Sequence, residues 1–494
     1  MKLFKQTFIL GLLGISLLLS SCKKDFLDTV PTDAVSASEA TANTKNGYAA
    51  LNGIHRSMYA QYDQQGQAGE GSNNIFRDLM GEDIVYPRLS GSTGLIGFLQ
   101  WETHRTPGAS DLRYVYRFYY RIISNANVLI NGIDNAEGPV ADRKIIKGQA
   151  LAYRAWAHFQ LVQLWGKRYD AGQANSQLGV PLLTSNDLDG KPRSTVEEVY
   201  TQINTDLGEA ATLLDGYVRS GTAAKSNINL NVVQGIRARV ALVQQDWETA
   251  AVNALAARAG HQLMDTTTYK SGFNNIENQE WIWGSRQIDE QSTGLSSYFA
   301  YISANFNSTP IRTQPRAINA TLYNAIPGTD IRKRVWDPTG ATVPIPPGGF
   351  RVNYQNKKFL AKSDVLSVGD VPYMRAAEMY LIEAEARAHQ GRDTEAQTAL
   401  FELAQSRDFN YVSSASTGQA LIDEIHFQRR IELWGEGFRF TDLKRTNSPL
   451  NRTGIPNHLP ILISVATVPA GDDRWEWLFP QDELNANKQI VQNP

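Results

Sequence analysis

Cysteine occurs once in the chain, at Cys22, and its neighbours define its chemistry. Leu19-Ser20-Ser21 precede it, one apolar residue and two small ones. Lys2 and Lys5 supply a short basic start, and residues 8–19 form an apolar run of signal-peptide length, too short to span a bilayer. This is the arrangement of a bacterial lipobox, which predicts cleavage after Ser21 and acylation of Cys22. Acyl chains contribute about 0.8 kcal/mol per buried CH2, and two or more hold a protein stably to a membrane. Residues 1–21 are therefore expected to be a signal peptide, and residues 22–35 a lipidated N-terminus and tether. No later stretch approaches ~18 consecutive apolar residues, and a single cysteine forms no disulfide within the chain.

Catalytic chemistry has no comparable signature. The seven histidines (His55, His104, His158, His261, His389, His426 and His458) form no H-E-x-x-H or H-x-H arrangement. There is no G-x-S-x-G elbow and no phosphate-binding loop. Gly435-Glu436-Gly437 starts like a dinucleotide motif, but Phe440 stands where the third glycine belongs. Glu82-Asp83 and Asp472-Asp473 are paired acids of the kind used in glycoside hydrolysis, although loop acids exposed to water explain them better. Arg375, Glu378, Glu432, Glu436, Arg439 and Asp442 read as ion pairs and caps between helices rather than as a reactive cluster. No metal or cofactor is expected. With a formal net charge of -2, nothing favours nucleic acid.

The aromatic content also supplies material for stacking on sugars. Sugar rings present apolar C–H faces that stack on aromatics, and their hydroxyls need planar polar partners. The chain holds 10 Trp, 20 Tyr and 18 Phe, so the informative aromatics are those in loops beside Asn, Gln or Arg. Trp101, Tyr298 and Tyr301 are expected to form a platform, with Asn305 and Arg312 nearby. Tyr86 and Arg88, ahead of a Gly/Ser loop, complete the candidate ligand-binding set. Trp281 and Trp283 alternate like a strand and are assigned to the core.

These residues must be held by a helical frame. A capping box at Ser36–Glu39 predicts a helix to about residue 62, and residues 66–72 and 87–97 read as loops. Helical patterns cover 111–133 and 150–165, and Ser194–Glu197 is a second capping box. Residues 232–259 and 373–407 resemble tetratricopeptide hairpins, with alanines where helices must touch and a charged turn between them. Between these hairpins, 264–371 is rich in Gly, Pro, Asn and Ser, the texture of a functional loop region.

In order along the chain, several further segments resemble the SusD/RagB outer-membrane lipoproteins of Bacteroidetes-type bacteria. They are Cys22-Lys23-Lys24-Asp25-Phe26-Leu27-Asp28, the helix from Tyr120 to Asn127, Arg154-Ala155-Trp156 with Leu164-Trp165-Gly166, and Gly179-Val180-Pro181-Leu182. Thr195-Val196-Glu197-Glu198-Val199-Tyr200, Asp370-Val371-Pro372 with Arg375-Ala376-Ala377-Glu378, Glu432-Leu433 with Glu436-Gly437 and Arg439, and Gln492-Asn493-Pro494 follow. Gln428 departs from the pattern, standing where a Glu usually precedes Arg429. The resemblance implies a mostly α-helical fold, a scaffold of tetratricopeptide-like hairpins with a loop-rich ligand-binding subdomain. The implied parts are an N-terminal helical region at 36–263, a ligand-face subdomain at 264–371 and a C-terminal hairpin with a capping segment at 372–494. It also implies a surface-exposed, lipid-anchored protein of the outer membrane, without enzymatic activity, that captures oligosaccharides for a SusC-like TonB-dependent transporter. Oligopeptide capture and surface glycoside hydrolysis are the alternatives.

Overall fold

A computed structural model of the protein describes residues 36–90, 95–187, 189–221, 224–291, 294–295 and 297–494. Cys22, the signal segment and the tether lie outside the described residues.

The scaffold is mostly α-helical and stacks antiparallel helices: α1 (Thr44–Ser57), α2 (Gly69–Leu79), α3 (Ser110–Gly132), α4 (Val140–Trp165), α5 (Val196–Leu213), α6 (Leu230–Gln244), α7 (Trp247–Arg258), α8 (Ala376–His389), α9 (Asp393–Arg407), α10 (Gly418–Glu432) and α11 (Arg439–Arg445). The two tetratricopeptide-like hairpins are α6/α7 and α8/α9, and α7 packs directly on α8. Ala250, Ala251, Ala254 and Ala257 of α7 and Ala377 and Ala384 of α8 are fully buried, because short side chains let helix backbones approach closely. Gln245 closes the first hairpin with φ +61°, and Gly391 the second with φ +70°.

Helix ends follow local chemistry, with some departures from the sequence reading. The capping box lies one residue later than expected: Thr195 Oγ1 accepts the Glu198 N–H at 3.1 Å, and Glu198 Oε2 accepts the Thr195 N–H at 2.7 Å. The first long helix is interrupted. Ser36 caps only Ala37–Ala40, and Asn43 caps α1 by accepting the Asn46 N–H. Residues 69–72 are helical rather than loop. Gly69 opens α2 at φ +60°, where a Cβ would lie 2.1 Å from the Met58 carbonyl oxygen, so its glycine marks a close approach of backbone.

Between α7 and α8 the chain leaves the stack, and among the described residues no helix there is longer than Ala320–Ala325. This excursion builds two small sheets. One is four-stranded, in the order β1 (Ile84–Val85), β3 (Ala317–Ile318), β5 (Gln355–Asn356), β4 (Trp336–Asp337). The other pairs β2 (Trp281–Ser285) with β6 (Val371–Arg375). Tyr373 to Arg375 is thus strand, and the second hairpin starts at Ala376. Trp281 and Trp283 are in the core as expected, Trp283 lying edge-on to Trp156 at 5.6 Å.

A buried ionic network locks the excursion to the scaffold. Arg375 donates to Glu436 at 2.7 and 2.8 Å, to Glu432 at 2.9 Å, to the Glu432 carbonyl at 3.1 Å, and to Glu280. Arg407 bridges Glu280 and Glu432, Arg332 joins Asp330 to Glu432, and Lys358 reaches Glu436. Burial pushes Glu432 up, but Arg407, Arg375 and Arg332 outweigh it and hold it far below the usual carboxylate range. The other motif charges are ion pairs as well. Glu378 takes Arg239 at 2.7 Å, and Asp442 takes Arg429 and Arg445, each at 2.8 Å. Glu82 and Asp83 are not solvated loop acids. They are buried against Arg430 and Arg439.

Candidate ligand-binding site

The expected aromatic platform is not open to solvent. Trp101 is only 4 % exposed; its indole N–H donates to the Met80 carbonyl at 2.9 Å, and Trp475 meets its ring edge-on at 4.9 Å. The Tyr298 hydroxyl donates to the Gly435 carbonyl at 3.0 Å, and its ring lies close against Gly71, where a Cβ would come within 3.0 Å of it. Tyr86 is fully buried and Tyr301 nearly so. Burial raises the Tyr301 hydroxyl to about 12, against the pull of nearby Arg316. Asn305 spends its amide on the scaffold, donating to the Ala361 carbonyl at 2.9 Å and accepting the Ala361 N–H at 2.8 Å. The reason is common to all five. Irregular backbone here is folded onto the helices, and its aromatic rings fill the gap beneath.

Two of the expected residues do come together. The Arg88 guanidinium lies 3.6 Å over the ring of Phe350, and the Phe350 N–H donates to the Arg312 carbonyl at 3.0 Å. The Ser90 N–H donates to the Thr313 carbonyl at 3.0 Å, tying the same two loops. Strand pairing explains the meeting. Val85 of β1 faces Ala317 of β3 in antiparallel register, so the residues after β1 run beside those before β3. The same register places Arg316 Nε 3.1 Å from the Tyr86 hydroxyl. Arg88 is exposed, and Phe350 and Arg312 are half-buried, Arg312 held by Asn307 and Thr309. This face offers an aromatic ring and guanidinium forks, the partners that sugar hydroxyls and ring faces use.

Phe350 and Arg316 were not singled out from the sequence. A signal was available in charge. Residues 84–101, 291–329 and 338–363 contain no Asp or Glu, and they carry Arg88, Arg312, Arg316 and Arg351.

A separate cleft of about 330 Å3 lies between α3, the 181–191 loop and the chain near Glu483. Tyr62, Tyr116 and Tyr120 line it, and its charges are mixed: Arg117, Arg121 and Lys191 with Asp63, Asp187, Asp189 and Glu483. Among the described residues, no group of three or more His, Cys, Asp or Glu side chains is placed to hold a metal ion, and no helix is long and apolar enough to cross a membrane.

The matches to known proteins follow this architecture. Residues 332–494 match the model of the SusD family, and residues 26–242 match a SusD-like model described as starch-binding, associating with the outer membrane. The chain belongs to the SusD family. A SusD-like carbohydrate binding protein from Bacteroides vulgatus superposes with a TM-score of 0.79 at 28% identity, over 91% of this chain and 98% of that one. SusD-like protein P38 of Formosa agariphila is 24% identical across 93% of this chain and 95% of its own length. Surface glycan-binding protein A from Bacteroides fluxus shares the fold, with a TM-score of 0.71 at 19% identity over 92% and 99% of the two chains. In this SusD-family chain, Gln428 replaces the usual Glu by accepting from Arg332, so the departure stays inside the buried network.

Proposed function

We propose that this SusD-family chain is a surface-exposed lipoprotein, anchored through Cys22, that captures oligosaccharides on the Arg88–Phe350–Arg312 face without cleaving them. It hands them to a TonB-dependent outer-membrane transporter. The observation that carries the ligand class is the joining of a half-buried aromatic ring to two arginine-bearing loops on a rigid helical frame. The match to a starch-binding family model and the likeness to a carbohydrate-binding protein support it. Transfer to a transporter follows from the family and from mechanics: a tethered binding lobe cannot itself move solute across a membrane.

Calorimetry with a panel of oligosaccharides, followed by chromatography of the recovered sugar, tests the binding. Stoichiometric retention of intact ligand is expected, with loss of affinity in Phe350→Ala and unchanged melting. Shortened products would point to a glycosidase, and binding of oligopeptides alone would move the ligand class. Detergent extraction and pull-down should recover a barrel protein. Recovery of the lipoprotein alone across several detergents would count against the partnership.

A further inference from the structure

We infer that the sugar bound on this face carries negative charge, as carboxylate or sulfate groups. The inference rests on the proposed binding of oligosaccharide there, and it starts from Arg316.

Arg316 is 4 % exposed. Its Nε donates to the Tyr86 hydroxyl, and its Nη2 has no acceptor. No carboxylate lies within ion-pair range of it among the described residues. Other buried cations of this protein that lack an acid are wrapped in carbonyls. Arg452 donates to Leu79, Gly81 and Leu99 carbonyls, Lys444 to those of Gln163, Gly166 and Trp475, and Arg193 to those of Leu178, Gly179 and Val491. Arg316 has no such cage. A buried guanidinium whose donors go unmet is costly to the fold. A charge left in that state, one residue before β3 and four residues along the chain from Arg312, fits a partner that arrives from outside.

The surroundings have the same sign. Arg88 and Arg312, at the rim, form no ion pair among the described residues; Arg88 is committed only to the Phe350 ring, and Arg312 to neutral oxygens. The three acid-free stretches meet here. β1 and its following loop lie in 84–101, β3 and its preceding loop in 291–329, and Phe350 and β5 in 338–363. No acid along them neutralises Arg88, Arg312 or Arg316, so the positive field of these three extends to an approaching anion. Guanidinium forks match carboxylate and sulfate oxygens in pairs. The cleft beside α3 lacks this property, because its cations stand among four carboxylates. An acidic peptide offers the same charge. Peptides captured by extended backbone need a free strand edge, however, and the strands here are two residues long.

The test is calorimetry on the full chain in detergent. The panel comprises oligogalacturonates, chondroitin sulfate oligosaccharides, neutral laminari-oligosaccharides of equal length and an oligoglutamate peptide. A charged sugar should bind at least tenfold more tightly than the neutral one, and lose about tenfold between 50 and 500 mM NaCl. The carboxylated and sulfated arms separate the two anion types. Arg316→Met and Arg88→Ala should each weaken that binding at least fivefold; Arg88 is exposed, so its variant keeps the test valid if Arg316→Met melts early. Neutral sugar binding as tightly as charged, without salt dependence, overturns the charge inference and leaves oligosaccharide capture standing. Binding of the peptide and of no sugar, or of nothing in the panel, overturns both. Loss of binding in Tyr62→Ala but not in Arg88→Ala puts the site in the cleft and also overturns the inference.

Discussion

Replacing Arg375 by Met tests how the loop region is held to the helices. The network around it balances: Arg332, Lys358, Arg375 and Arg407 face Asp330, Glu280, Glu432 and Glu436. All eight side chains are buried, and the Arg375 and Glu432 side chains are wholly removed from solvent. Met matches the length of the Arg stem but leaves one carboxylate in excess. Removing one partner of a buried pair costs about 3–5 kcal/mol. For a cooperative unit of about 150–250 residues each kcal/mol is worth about 2–4 °C, so melting should fall by roughly 6–20 °C. The sign of the pH response distinguishes an ionic cause from lost packing. In the wild type, burial raises Glu436 but Arg375 and Lys358 outweigh it, so its folded pKa lies below the unfolded one. That contribution is present above the unfolded pKa and disappears only as pH falls through the lower folded value. Without Arg375, burial prevails and the folded pKa rises above the unfolded one. The variant is then most penalised at high pH and recovers as pH falls through that raised value, over the range from about pH 7.5 downward. Paired thermal melts of wild type and variant across that range measure the gap. Arg375→Met with Glu436→Gln should restore part of the loss at pH 7.5. A gap that stays constant with pH, or is smaller than about 2 °C throughout, refutes the ionic account.

Three further outcomes are expected. Trp101→Ala should cost about 3–5 kcal/mol by opening a core cavity and leave ligand affinity unchanged well below the melting temperature; lost affinity without lost stability would restore the aromatic platform. Burial holds His104 down to about 3, its contact with the Arg474 carbonyl only partly opposing. Its neutral form is therefore a stabilising element above the unfolded pKa of about 6.5 that is lost as pH falls toward 3. His104→Gln should reduce the slope of stability against pH between 6.5 and 4 by up to about 1.4 kcal/mol per unit, read from urea titrations; an unchanged slope argues for a charged His104. Fatty-acid labelling in the native host should mark the wild type and not Cys22→Ala, and equal labelling of the two would remove the anchor from the proposal.

Which parts of this molecule could be read from its sequence depends on how local their causes are. The alanine-lined hairpins and the Trp281–Trp283 alternation are decided within a few residues and are present in the fold, and the second capping box is displaced by a single residue. The motif charges were legible for a related reason. Arg375, Glu432 and Asp442 sit among packing residues, and a charge in such company survives only by pairing. Loop aromatics obey no local rule. Gly, Ser and Asn around Trp101 and Tyr298 report an irregular backbone, which is a different property from exposure. Whether a ring on such a backbone faces water depends on what lies beneath it, and here that is Met80, Gly435 and Gly71, from distant parts of the chain. Glu82 and Asp83 misled in the same way, since the arginines that bury them lie more than 300 positions later. A deficit of acids behaves differently. Packing brings Glu436 to Lys358 and Asp370 to Lys362, but among the described residues it brings no carboxylate into ion-pair range of Arg88, Arg312 or Arg316. The absence of Asp and Glu from 84–101, 291–329 and 338–363 therefore carries into the folded face around those three arginines. In a chain with nearly balanced total charge, that local imbalance says more about the ligand than the identity of any single aromatic residue.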